Sequence, residues 1–146
     1  MKFYIAAPFF NKAQIEKVEV VKEMLLAKGF QFFSPKDDCL FENDKGMDSE
    51  AIFTTNIDEI DKCDGIIIIT DDRDVGTMFE AGYAYGSGIY NRIYIWIDHD
   101  NDANFNLMLA HSADTVVLGY EELDLLLAKT KEIGFVQSND YLGKME

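Results

Sequence analysis

The sequence predicts an α/β fold in which a parallel sheet carries helices on both faces. Strand-like and helix-like patterns alternate along the 146 residues, as they do in parallel sheets. The run 65–69 is apolar on both faces of a strand, which is typical of a central parallel strand. A polar turn and a helix pattern follow it directly, as in open α/β folds that bind ligands. We therefore predict a flavodoxin-like, doubly wound sheet of five parallel strands, in a single domain over residues 1–146.

The first predicted unit is a strand, a helix and a second strand. Residues 2–7 alternate in character and are β-prone, which predicts a strand. Residues 12–28 place apolar side chains at helical spacing, and this pattern ends at Gly29. Residues 30–34 predict the second strand, which ends at Pro35 because proline removes a ladder donor.

The middle of the chain predicts a long loop, two helices and the central strand. Residues 36–48 are polar and mixed, so we expect a loop, and a loop of that length in a compact domain is often functional. Residues 49–62 carry apolar side chains on one side of a helix. The central strand at 65–69 follows, and a further helix is predicted over 76–87.

The C-terminal part continues the alternation. Residues 92–97 predict a fourth strand, and 98–104 predict a polar loop. A short helix is expected over 105–111 and a fifth strand over 115–118. Residues 120–131 predict a last helix with its leucines on one face, and the sequence beyond it shows no clear pattern.

Composition excludes several classes of partner. A net charge of −14 argues against nucleic acid and anionic membranes, which bind basic surfaces, and we find no local basic cluster. No run approaches the ~20 apolar residues of a membrane-spanning helix, and residues 1–7 are too short for a signal peptide. Cys39 and Cys63 are isolated, which is typical of reduced, structural thiols. We therefore expect a cytoplasmic location.

Two carboxylates after the central strand are the first candidates for chemistry. Asp74 lies in the polar turn, and Glu80 lies two turns into the next helix among apolar and small residues. A carboxylate in such surroundings suits a nucleophile or an acid/base group. The alternatives are a helix N-cap for Asp74 and a solvated surface position for Glu80. Gly82 and Gly86 weaken the helix, which predicts close approach of another segment.

Other patterns restrict the chemistry. No G-x-G-x-x-G or Walker sequence follows a strand, so we predict no nucleotide cofactor. His99 and His111 lack partners at metal-binding spacing, so we predict no metal. Phe9 and Phe10 follow the first strand, where they would stack on a flat ligand or pack within a loop.

Four segments together resemble the nucleoside 2-deoxyribosyltransferase family. The most specific is the D-x-G-x-x-x-E-x-G-Y-A sequence at 74–84, between a strand and a helix. The first strand into Ala6-Ala7-Pro8-Phe9-Phe10, the segment from Asn56 to Gly65, and Asn106-Leu107-Met108 follow in the family's order.

The resemblance implies transfer of 2-deoxyribose between nucleobases, in nucleoside salvage and without a cofactor. Glu80 would attack the anomeric carbon, and a second base would then displace the covalent deoxyribosyl–Glu80 ester. The resemblance also implies that Tyr4 orients Glu80 and that Asp74 and Gly76 bind the sugar. Phe9, Phe10 and Asn56 would form the base pocket, and Asn106 and Met108 would complete the site of a neighbouring subunit. The implied partners are deoxynucleosides, free bases and further copies of the chain, as a dimer or a dimer-based hexamer.

One residue departs from the family pattern. Asn56 stands where many members carry an Asp that meets the base, and an amide cannot deliver a proton as a carboxylic acid does. Water, Asp37 or Asp38 would then assist the leaving base. The choice between purine and pyrimidine stays open.

Three rival functions remain at this point. An N-glycosidase of the same superfamily would hydrolyse the bond of a nucleoside or of its 5′-monophosphate, although Asp74 in the turn favours an uncharged sugar. A non-catalytic nucleoside sensor would bind without needing Glu80. An acidic interaction module would use neither residue.

Overall fold

The sheet of this protein contains five parallel strands. The computed structural model describes residues 1–39, 48–135, 137 and 141–146. The strands are β1 (Lys2–Ala6), β2 (Gln31–Phe33), β3 (Gly65–Ile69), β4 (Arg92–Trp96) and β5 (Thr115–Leu118). They are hydrogen-bonded in the order β2-β1-β3-β4-β5, all in parallel. The predicted doubly wound α/β fold is therefore confirmed.

Six helices accompany these strands in the described part of the chain. They are α1 (Lys12–Ala27), α2 (Pro35–Asp38), α3 (Ser49–Lys62), α4 (Val75–Gly86), α5 (Leu107–Ser112) and α6 (Gly119–Ile133). Each predicted strand and helix is present, with ends that agree to within two residues. Helix α1 ends where expected, since Gly29 has a φ of +74°, a conformation that suits glycine after a helix.

The predicted loop over 36–48 is wrong at its start. Pro35 opens the one-turn helix α2, because its fixed φ suits the first helical position. The Asp38 carboxylate closes this turn by accepting a hydrogen bond from the Ser34 backbone N–H at 2.8 Å. Residues 40–47 of the predicted loop lie outside the described residues.

Two apolar cores sandwich the sheet. On one face, alternate strand residues such as Phe3, Ile67 and Ile93 pack against α1 and α6. On the other face, Tyr4, Ile66 and Tyr94 belong to the core of α3 and α4. The side-chain period of two in a strand sends neighbouring residues to opposite cores. Because both faces are covered, every residue of β3 is buried.

The strand order places a crevice between β1 and β3. The chain leaves β1 towards β2 on one side of the sheet and leaves β3 towards β4 on the other side. Tyr4 lies beside Ile66, and Ala6 lies beside Ile68, so the two strands end at the same edge. Open α/β sheets bind ligands at such a switch point, outside the carboxyl ends of the strands.

Ion pairs fasten the short helix α2 to α1. Lys22 Nζ lies 2.6 Å from Asp37 Oδ2, and Lys36 Nζ lies 2.9 Å from Glu19 Oε1. Lys36 also lies 3.0 Å from Asp37, which joins the four groups into one network. This network fixes the part of the chain that leads to Cys39.

The C-terminal residues pair with the loop before α5. Phe105 N–H donates to the Lys144 carbonyl at 2.9 Å, and Leu107 N–H donates to the Glu146 carbonyl at 2.8 Å. The Phe105 ring lies between Trp96, at 5.6 Å, and Tyr141, at 5.2 Å between centroids. These contacts hold the beginning of α5 in place.

Across the described ranges, none of the helices has the length and apolar character needed to cross a bilayer.

We expect Gly65→Ala to destabilise the fold by about 1–3 kcal/mol, the usual cost of overpacking. A Cβ at this position would lie 2.9 Å from the Asn91 carbonyl oxygen and 2.9 Å from Phe3 Cε1. Urea denaturation followed by circular dichroism measures the change. Gly86→Ala is the matched control, since a Cβ there meets no atom within 4 Å. Equal stability of the two variants would contradict the prediction.

Candidate active site

A cleft of about 180 Å³ opens at the carboxyl ends of β1 and β3. Helices α2, α3 and α4 and the turn after β1 supply its walls. The residues that line it are Ala7, Phe9, Phe10, Pro35, Cys39, Ile52, Asn56, Asp74, Gly76, Thr77 and Glu80. Six of the predicted site residues thus lie in one cleft, although they are separated by up to 71 positions in the sequence.

Glu80 lies half-buried in this cleft and is held by Tyr4. The Tyr4 hydroxyl donates a hydrogen bond of 2.6 Å to Glu80 Oε1. Tyr4 itself is fully buried in β1, where its ring packs on Phe33 at 5.5 Å. This bond leaves Oε2 as the carboxylate oxygen without a hydrogen bond from the described residues. The solvated surface position considered for Glu80 is therefore wrong.

Burial changes the ionisation of both groups. Loss of solvent is the largest effect on the pKa of Glu80; together with the charge of Asp74, and against the hydrogen bond from Tyr4, it raises this pKa to about 7. Burial and the Glu80 carboxylate also raise the pKa of Tyr4. Tyr4 is therefore a neutral donor, and Glu80 titrates near neutral pH, which suits a group that must gain and lose charge in a reaction.

Asp74 caps helix α4 at the mouth of the cleft. Its Oδ2 accepts hydrogen bonds from the Thr77 backbone N–H at 2.8 Å and from the Thr77 hydroxyl at 2.9 Å. The N-cap interpretation is thus confirmed. Gly76 lies between these two residues, where a Cβ would approach Asp74 Oδ2 to 3.3 Å. Since Oδ1 takes no hydrogen bond from the described residues, one oxygen remains for a ligand.

Asn56 and Cys39 form the facing wall. Asn56 lies on α3, and its Oδ1 accepts a hydrogen bond from the Cys39 thiol at 3.3 Å. Cys39 is buried and ends helix α2. The sequence predicts only a structural thiol at Cys39, and nothing in its local pattern marks it as a cleft residue. Both described cysteines are free and buried.

Phe9 and Phe10 stack on each other at the rim. Their ring centroids are 5.3 Å apart with an interplanar angle of 27°. Phe10 is 75% exposed, so its ring is accessible to a ligand that enters the cleft. Exposed aromatic faces are suited to stacking on planar groups.

The two acids suggested as proton donors lie outside the residues that line the cleft. Asp37 is paired with Lys22 and Lys36, whose charges hold its pKa below the ordinary value despite partial burial. The Asp38 carboxylate is engaged by the Ser34 backbone N–H. Neither side chain is placed to protonate a ligand in the cleft.

Asn106 and Met108 also lie away from the cleft of their own chain. Asn106 caps α5 through hydrogen bonds from the backbone N–H groups of Met108, at 3.0 Å, and Leu109, at 3.2 Å. Met108 is 71% exposed. Both residues are therefore exposed on this chain and take no part in its own cleft.

The glycines of α4 do not have the role expected from the sequence. A Cβ on Gly82 or Gly86 meets no atom within 4 Å, so no segment of the described chain approaches them. The predicted close approach is wrong within one chain. Both glycines are exposed on α4, a helix that also carries the exposed side chains of Phe79 and Tyr85. Among the described residues, no group of three His, Cys, Asp or Glu side chains is arranged to hold a metal ion.

Comparisons with known proteins identify a family and a shared fold. A family model described as nucleoside 2-deoxyribosyltransferase matches residues 3–116. A 2-deoxyribosyltransferase from Bacillus psychrosaccharolyticus is 26% identical, with a TM-score of 0.72 over 85% of this chain and 90% of that one. No curated protein sequence gives a significant match.

Two further solved structures share the fold at lower identity. A 2-desoxiribosyltransferase from Leishmania mexicana is 24% identical, with a TM-score of 0.61 over 90% of this chain and 97% of that one. A CMP N-glycosidase from Clostridium botulinum is 20% identical, with a TM-score of 0.61 over 90% of this chain and 98% of that one. At these identities the likeness extends to the fold alone.

We expect Glu80→Gln to be more stable than the wild type at pH 8, by about 2 kcal/mol, and nearly equal to it at pH 4. The pKa of Glu80 is about 7 in the folded protein and ordinarily 4.5, so between these pH values Glu80 is protonated in the folded chain but not in the unfolded chain. Wild-type stability therefore falls as pH rises through this window. Urea denaturation at both pH values tests this. Glu23→Gln, at an exposed position of α1, is the control. A wild type as stable as Glu80→Gln at pH 8 would contradict the argument.

Proposed function

The chain belongs to the nucleoside 2-deoxyribosyltransferase family, and on that premise we propose that it exchanges the base of 2′-deoxynucleosides by double displacement at Glu80. The observation that carries this proposal is the half-buried Glu80 carboxylate, hydrogen-bonded at 2.6 Å to Tyr4 inside a cleft. A shielded carboxylate with one oxygen held and the other free is prepared for nucleophilic attack.

In the first displacement, Glu80 Oε2 forms a bond to C1′ of the deoxyribose while the bond from C1′ to the base nitrogen breaks. The electron pair of that bond leaves with the base, which takes up a proton from water. Tyr4 keeps its hydrogen bond to Oε1 and so fixes the direction of Oε2. In the second displacement, a nitrogen of another base attacks C1′, loses its proton and releases Glu80 as a carboxylate. Two inversions give net retention at C1′.

The sugar is assigned to the Asp74 side of the cleft. Asp74 Oδ2 already accepts two hydrogen bonds from Thr77, which leaves Asp74 Oδ1 to accept a hydrogen bond from a sugar hydroxyl. The same contacts argue against a phosphate here, since the Thr77 hydroxyl is engaged and a carboxylate repels an anion. Gly76 keeps the backbone of this turn accessible to the sugar.

The base is assigned to the opposite side, between the Phe9 and Phe10 rings and Asn56. Stacking on Phe10 suits any planar base, and the Asn56 amide supplies the polar contact. Because Asn56 cannot donate a proton as an acid and Asp37 is committed to ion pairs, water is the proton source for the leaving base.

Hydrolysis of the same bond is the second candidate, since the cleft is open to solvent and water would need only to replace the acceptor base. This would make the protein an N-glycosidase acting on nucleosides or their 5′-monophosphates. The chain shares its fold with a CMP N-glycosidase, at 20% identity. A sensor that binds nucleosides without turnover is the alternative outside catalysis.

We further infer that the active form is an oligomer with sites shared between subunits. Large apolar side chains are exposed along α3, α4 and α5, namely Phe53, Val75, Phe79, Tyr85, Leu107 and Met108. The empty space over Gly82 and Gly86 would admit the backbone of a second copy. A second copy on this surface accounts for the exposed position of Asn106 and Met108.

We further propose that this activity serves nucleoside salvage in the cytoplasm. Two free, buried cysteines are consistent with a reducing compartment.

The deciding experiment is incubation with thymidine and adenine, followed by chromatography. We expect new deoxyadenosine from the wild type and at least a ~10³-fold slower exchange from Glu80→Ala, which removes the nucleophile.

Tyr4→Phe keeps the ring and removes the hydrogen-bond donor. Because the hydrogen bond from Tyr4 lowers the pKa of Glu80, its loss should shift the acid limb of the pH–rate profile to higher pH.

The other outcomes separate the alternatives. Free deoxyribose in place of deoxyadenosine would indicate hydrolysis. Binding of thymidine by both wild type and Glu80→Ala, with no product from either, would indicate a sensor. Near-normal exchange by Glu80→Ala would refute the covalent mechanism.

For the oligomer, we expect Gly82→Gln to yield a smaller species in sedimentation velocity and to lose most exchange activity. The folded chain itself has room for the new side chain, so circular dichroism should be unchanged. Ala128→Gln, at an exposed position of α6, is the matched control. A wild type that is monomeric and fully active would rule out shared sites.

A further inference from the structure

A buried thiol contacts the polar residue of the proposed base pocket. Cys39 Sγ lies 3.3 Å from Asn56 Oδ1, and both residues line the cleft. A carbonyl oxygen carries no proton, so the thiol is the donor in this bond. Burial and the nearby carboxylates of Asp38, Glu59 and Glu80 raise the pKa of the Cys39 thiol, so it keeps its proton at neutral pH. Cys39 is therefore a lasting hydrogen-bond donor to the amide.

This bond gives the amide a direction. A side-chain amide has one oxygen that accepts and one nitrogen that donates two hydrogen bonds. With the oxygen turned to Cys39, the Nδ2 group is left without a hydrogen-bond partner among the described residues. Rotating the amide by half a turn would exchange this bond for a weaker one from Nδ2 to the Cys39 sulfur, because sulfur is a poor acceptor. The cleft consequently offers a ligand N–H donors at this point.

We propose that Cys39 is a positioning residue, which fixes the Asn56 amide so that the site selects bases presenting a carbonyl oxygen or an unprotonated ring nitrogen to Nδ2. This inference rests on the proposed function and adds to it a class of preferred base. An exocyclic amino group at the same point would face another donor, which leaves both without an acceptor.

The position of Cys39 is set independently of the ligand. Helix α2 carries it, and the ion pairs of Asp37 with Lys22 and Lys36 fasten that helix. Cys39 is 4% exposed, so the sulfur has little freedom to turn away from Asn56. The other cysteine, Cys63, ends α3, is also buried, and does not line the cleft, so it provides a matched control.

Affinity for pairs of deoxynucleosides tests the proposal. The measurements use full-length chains that carry Glu80→Ala, so that bound deoxynucleosides are not consumed, and isothermal titration calorimetry. The pairs are deoxyinosine with deoxyadenosine, and deoxyuridine with deoxycytidine, which differ by a carbonyl or an amino group. We expect the carbonyl member to bind more tightly in at least one pair. Cys39→Ala should reduce that ratio by about 3–10-fold, the usual worth of one hydrogen bond.

Two further variants separate positioning from a structural role. Cys39→Ser retains a donor and should restore most of the ratio, and Cys63→Ala should leave it unchanged. A merely structural role would weaken both members of a pair equally. A ratio that Cys39→Ala does not change, or a preference for the amino members, would overturn the proposal.

Failure of the proposed function can be recognised separately. If the wild type neither binds nor converts any deoxynucleoside, that function fails, and the positioning role is then decided by NMR of the Asn56 side-chain NH₂ group in the free protein. Cys39→Ala should shift these two signals, and Cys39→Ser should return them towards the wild-type positions. Signals that are unaffected by Cys39→Ala would overturn the inference.

Discussion

The hydrogen bond between Tyr4 and Glu80 ties the fold to the chemistry. A buried phenol is costly without a partner, and a buried carboxylate is more so. Each group satisfies the other at 2.6 Å, across the contact between strand β1 and helix α4. The sheet fixes Tyr4 through its register beside Ile66, and Asp74 fixes the beginning of α4. The proposed nucleophile is thus held between a buried strand and a capped helix.

Much of the fold could be predicted because it depends on periodicity. The all-apolar strand at 65–69 and the helical stripe of α1 need no knowledge of tertiary contacts to be recognised. Helix α2 was missed, because four residues are too few for a period and only Pro35 marked its beginning. The close approach predicted at Gly82 and Gly86 of α4 is wrong within one chain. A glycine in a helix indicates free space beside the backbone, but the sequence does not say whether the same chain fills that space.

The candidate site was partly predictable for a topological reason. Parallel strands end at one edge, so residues that follow β1 and β3, such as Phe9 and Asp74, come together wherever they lie in the sequence. For Asn56, the prediction that it lies in this cleft came from the resemblance to the family. Cys39 could not be found in this way, since its contact depends on how α2 packs beside α3. Nor can one chain show a contribution from the proposed second copy.

The cleft walls formed by α2 and by α4 are held in place by different interactions. Apolar packing and a buried hydrogen bond hold α4, whereas charged side chains fasten α2 to α1 at a partly exposed surface. The paired atoms lie within 3.0 Å of each other, well inside the ~8 Å over which salt screens charges at physiological ionic strength, so added salt leaves these pairs largely intact. Acid acts differently, because protonation of Glu19 or Asp37, whose pKa values are held below the ordinary range, removes the charges that fasten α2.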